Sequence, residues 1–191
     1  MPWYGAAVPR GSPFHAAPAY PPPMPIDTKK APRRSLRFAS INDLRQELDR
    51  VERAHRAGAM RSSGNWSVGK NLGHLAYWID FSFDGPPPGF KKPPLFMRWF
   101  FRMGRKMVLN GRMPAGVRLG GVPAGTYGTD EMSTEDGLAR LRVALDRLEQ
   151  NTPTQPSPAF GALTRDEWTA LHLRHSELHL GFLELGATAH R

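Results

Sequence analysis

A chain of 191 residues with 40% hydrophobic content can bury one substantial core and still has length for an appendage. It has no cysteine, which excludes disulfides, thiolate metal sites and a cysteine nucleophile, so any metal must be held by His, Asp, Glu or water. The net charge of +9 admits acidic partners, and a solvated basic surface accounts for it as simply.

No run approaches the roughly 18 to 20 apolar residues of a membrane span. Arg10 is the sole Lys or Arg before Lys29, and no unbroken apolar core follows it, so a secretory leader is not expected. Arg33-Arg34 is followed by a helix start instead of an apolar run. With the missing cysteines, this points to a soluble, cytoplasmic protein.

Residues 1–35 are rich in Pro and Ala around Pro21-Pro22-Pro23, a composition expected to be disordered. Met24 is an alternative start within it. The folded domain is expected over 36–191. Ser40 reads as an N-cap with Asp43 three residues on, and Leu44, Leu48 and Val51 recur at helical spacing until Gly58. This predicts a first helix over about 41–57. Ser67 caps the second, over about 68–84, with its stripe Leu72, Leu75, Ile79 and Phe83 closed by Gly85 and three prolines.

Residues 86–132 form a long crossover carrying one short aromatic and basic helix, about 94–109. Connections of this length are uncommon and are often functional or wrap the body. Lys91, Lys92, Arg98, Arg102, Arg105 and Lys106 surround Trp99, Phe100 and Phe101 there. Binding to nucleic acid or a membrane is one reading. The favoured one packs the aromatics on the body and leaves the charges in water, so no nucleic-acid partner is expected.

Ser133 and Asp136 open the next helix, about 134–150, with Leu138, Leu141, Leu145 and Leu148 as its stripe. Thr164 and Glu167 form a capping box, and Leu163 with Trp168 a hydrophobic staple, for a last helix over about 165–185. No strand alternation stands out. The fold class is therefore all-α: four long helices with a long crossover after the second.

The last helix carries His175 and His179, four apart and thus about 6 Å apart at Cβ on one face. Two imidazoles so spaced can converge on one ion, though the Glu of the metalloprotease version is missing. His172 continues the stripe. His74 lies amid apolar residues of the second helix, with Gly73 beside it to permit close helix approach. If those two helices are neighbours, His74, His175 and His179 make a three-His metal site with open positions. Core histidines held by hydrogen bonds are the competing account. His55 and His190 read as surface residues, and His15 lies in the tail. Asn71 and Trp78 could line the pocket, Tyr77 and Asp80 are weaker candidates, and Glu177 reads as solvated. No catalytic residue is assigned.

The stretch Asn65-Trp66-Ser67-Val68-Gly69-Lys70-Asn71-Leu72-Gly73-His74-Leu75 resembles the second-helix signature of the DinB-like superfamily. Leu163-Thr164, Glu167-Trp168, His172, His175 and His179-Leu180 resemble one uncharacterised branch of it. So do Phe83-Asp84-Gly85-Pro86 and Arg112-Met113-Pro114-Ala115-Gly116, and the likeness covers about 36–186. It implies an up-down-down-up four-helix bundle. It also implies a divalent metal on His74, His175 and His179; three-His sites suit zinc, nickel, iron or manganese (Zn, Ni, Fe or Mn). Some relatives are transferases or isomerases using a low-molecular-weight thiol. That branch tends to carry a further His where this chain has Leu178.

The expected function is metal-dependent thiol transfer or hydrolysis on a small molecule. The alternative is a non-catalytic binding or stress-related bundle with a structural or vestigial metal site. A homodimer is left open.

Overall fold

A computed structural model describes residues 25–120, 122 and 125–186. The chain order is α1 (Ile41–Arg56), β1 (Met60–Ser62), α2 (Val68–Asp84), α3 (Leu95–Met103), α4 (Arg105–Asn110), α5 (Thr134–Gln150), α6 (Arg165–Leu180) and β2 (Leu183–Leu185). The protein is mostly helical, as its periodicity predicts, with a small ribbon added.

The four longest helices start where their caps require. Ser40 and Thr164 each accept a backbone N–H from the residue three on, and Asp43 and Glu167 return the bond to the cap. Ser67 and Ser133 cap α2 and α5. Their stripes meet in one core: Leu48 and Val51 of α1, Leu72 and Ile79 of α2, Leu141 and Leu145 of α5, and Leu173 and Leu180 of α6. Burying each such side chain contributes roughly 1.5–3 kcal/mol. α2 lies against both α5 and α6. Its approach to α5 is backbone-close: a Cβ on Gly137 would stand 2.9 Å from the Gly69 carbonyl oxygen. Gly73 serves differently from expectation, since the space beside it holds the Met132 side chain.

Three sequence expectations change. The last helix ends at Leu180, five residues early, and Leu183–Leu185 pairs antiparallel with Met60–Ser62. Leu183 faces the core and Glu184 faces out, but an alternation of three residues is too short to separate from a helix in sequence. The crossover helix divides at Gly104 into α3 and α4. Of its aromatics, Phe101 packs on the body against Phe160 as favoured, but Trp99 and Phe100 are exposed, as is Phe96.

Residues 1–24 of the proline-rich zone lie outside the described part. Residues 25–35, assigned with them to a disordered tail, run along the body. Asn65 exchanges two hydrogen bonds with the Ile26 backbone, at 2.7 and 2.8 Å. Arg34 reaches Glu47 and the Leu180 carbonyl. These partners lie far away in sequence, so local composition does not reveal them.

Candidate metal centre

α2 supplies His74 and α6 supplies His175 and His179. Because the two helices are neighbours, the imidazoles meet. One ring nitrogen from each lies within 4.8 Å of the others. Ring centroids are 5.1 Å apart for His74 and His175, 4.6 Å for His74 and His179, and 4.7 Å for His175 and His179. His74 is buried, and the other two are partly open to solvent.

Two of the rings have their proton fixed by a neighbour. His74 Nδ1 lies 2.9 Å from the Tyr127 carbonyl oxygen, which can only accept. The proton therefore sits on Nδ1, and the Nε2 lone pair is free. His179 Nδ1 lies 3.1 Å from Asn71 Oδ1. That amide is itself oriented, because its Nδ2 donates to the carbonyls of Trp66 and Ser67. Asn71 must then accept from His179, which again leaves Nε2 free. Outer partners of this kind hold metal-binding histidines in place and raise their basicity.

Electrostatics favour the neutral, ligating form. Burial pushes His74 down to about 4, against the opposing pull of the Tyr127 and Gly128 backbone. Burial, and then the neighbouring imidazoles, hold His175 well below the usual histidine value; His179 is lowered by burial and by His74. Three neutral rings thus bring one nitrogen each to one small region. The three imidazoles could together hold a metal ion. Among the described residues, these are the His, Asp and Glu side chains that gather closely enough to hold an ion.

Aromatic rings wall the cluster. Trp66 stacks on His179 at 5.3 Å and meets His74 edge-on at 4.9 Å. Trp78 lies 6.2 Å from His74 and 6.4 Å from His175. The crossover closes over this side, with Phe90 against Tyr127 at 4.8 Å and the Lys91 N–H donating to the Tyr127 hydroxyl.

The remaining candidates fall elsewhere. His172 is buried away from the trio and stacks on Trp168, and burial pushes it down to about 3. Tyr77 packs against Gly128, whose φ of 67° is open to glycine. Asp80 pairs with Arg147. His55 pairs with Glu135 at the surface. Glu177, read as solvated, is buried: it accepts the Phe38 N–H at 2.6 Å and pairs with Arg174 at 2.7 Å. Sequence reading did not single out Trp66 or the Tyr127 carbonyl for this centre. The first stood in plain view beside the Ser67 cap; the second is a backbone group and leaves no side-chain signal.

No curated protein and no solved structure matches the chain. A family model does match, over residues 30–185, and by it the chain belongs to the family described as "Protein of unknown function (DUF1569)".

Proposed function

We propose that the protein is a divalent-metal-dependent enzyme, a thiol transferase or a hydrolase acting on a small molecule. The observation that carries this reading is the convergence of three neutral imidazoles with no fourth His, Asp or Glu beside them among the described residues. A closed structural site needs four protein ligands; three leave positions for water or substrate. His74 and His179 would bind through Nε2, and His175 through whichever nitrogen faces them. When bound, such an ion lowers the pKa of a water or thiol in its open positions. Trp66 and Trp78 exclude bulk water from that side and offer flat apolar surface to a substrate. Asn71 and the Tyr127 carbonyl hold two of the rings at fixed angles. The sequence likeness adds the finer assignment, an up-down-down-up bundle of the DinB-like kind.

Purified full-length protein is stripped with chelator and titrated calorimetrically with Zn²⁺, Ni²⁺, Fe²⁺ and Mn²⁺. One ion per chain is expected, and it is lost in His175→Ala while the helical circular dichroism persists. Binding that survives His175→Ala unchanged removes the proposal.

A further inference from the structure

The crossover helices bury one side and leave another bare. Inward, Leu109 is buried, Phe101 meets Phe160 at 6.1 Å, and Arg105 pairs with Glu167 at 3.2 Å. Outward, Phe96, Trp99, Phe100, Met103 and Met107 are 57% to 75% exposed. Their spacing of three or four residues lines them up along one stripe of α3 and α4. A monomeric protein rarely shows water so large an apolar strip without a use for it.

The charge around the strip is as uneven as its hydrophobicity. Residues 85–129 hold eight of the chain's 26 Lys and Arg and none of its 17 Asp and Glu. This quarter of the sequence therefore carries nearly all of the net charge of +9. Lys91, Lys92, Arg102 and Lys106 are exposed beside the apolar stripe.

We infer that α3 and α4 dock the protein on an anionic lipid surface, lying in its plane. Apolar side chains over a basic rim are what an interfacial helix needs: the rings and thioethers enter the acyl boundary while the cations meet lipid phosphates. A second copy of the chain is a poor occupant, because a two-fold contact sets the same surface against itself and so brings Lys91, Lys92, Arg102 and Lys106 face to face with their copies. Single-stranded nucleic acid would use the rings, but it has no use for the flexible methionines between them. The helices are too short to cross a bilayer, and among the described residues no helix is long and apolar enough to do so. The apolar stripe lies on residues other than those of the histidine centre, although Lys91 at its edge donates its N–H to the Tyr127 hydroxyl, and this inference does not rest on the function proposed for that centre.

The test is co-sedimentation of the full chain with vesicles of neutral phosphatidylcholine, alone or with about a third phosphatidylglycerol. Sedimentation with the mixed vesicles only is expected, weakening as salt is raised. Phe96→Asp with Phe100→Asp abolishes it without altering circular dichroism, since both rings already face water. Lys91→Gln, Lys92→Gln and Lys106→Gln together weaken it about a hundredfold, near fivefold for each charge removed from an anionic surface. Equal binding to neutral vesicles, or binding unchanged in both variants, overturns the inference. So does a shift from dimer to monomer in the double Asp variant with no vesicle binding by the parent, which would assign the strip to a second copy. Tight binding to single-stranded RNA with none to vesicles overturns it too.

Discussion

One flank of α6 turns His175 and His179 toward His74, while another turns Arg174 and Glu177 toward the chain at Phe38. Both flanks place polar groups in the interior, in opposite ways. Arg174 and Glu177 complete each other: the guanidinium also donates to the Phe38 carbonyl, and the carboxylate accepts the Phe38 N–H. That cluster is satisfied by its own members apart from the buried Arg174 Nε, which has no partner among the described residues. The histidine flank is not. Its two ordered rings spend their N–H groups outward, on Tyr127 and Asn71, and their lone pairs face inward with no donor to meet them. Imidazole nitrogens gathered this closely, with two lone pairs left unmet, suit something brought from outside, such as a metal ion.

The strongest way to break this comparison is acid. In metal-free buffer, unfolded histidines take a proton near pH 6.5, whereas folded His74 refuses it until about 4 and folded His172 until about 3. Stability present in full above pH 6.5 is therefore lost as pH falls toward those values, by about 1.4 kcal/mol per pH unit for each histidine. Melting temperatures from pH 7 to 4, with chelator present, should drop steeply. A flat profile would mean that the imidazoles are solvated. Glu177→Leu tests the balanced flank: it strands the buried Arg174 and should lower the free energy of unfolding by about 3–5 kcal/mol in urea titration. The same change should leave metal binding within a few fold, which separates the two flanks. Asn71→Ala acts on the open flank. It frees the His179 ring to rotate and should weaken Zn²⁺ binding about 10- to 100-fold by calorimetry. The smallest effect is expected from Phe100→Ala on exposed α3, within about 0.5 kcal/mol of the parent in urea.

The site was easier to read than its supports. An i,i+4 histidine pair and one inward histidine have a spacing signature, and caps at Ser40, Ser67, Ser133 and Thr164 set the helices that carry them. Glu177 misled because a charged residue between two candidate ligands usually faces water, and what buries it is the distant Phe38 segment. The tail boundary misled for the same reason, since Asn65 and Glu47 organise residues 25–35 from afar, and the family match begins inside that zone at residue 30. The aromatic crossover was judged by the rule that large rings pack inward. Its exposed stripe breaks that rule, and periodicity alone does not say which side of a helix meets the body.

Trp66 stacked on His179 has a practical consequence. Indole emission responds to the ring beside it, and four of the five tryptophans fall in three described surroundings. Trp66 and Trp78 border the histidine trio, Trp168 lies against His172, and Trp99 stands bare on α3. The molecule thus comes with its own optical labels. Replacing one indole at a time with phenylalanine would let a single cuvette follow ion loading, acid opening and surface docking as three distinct signals.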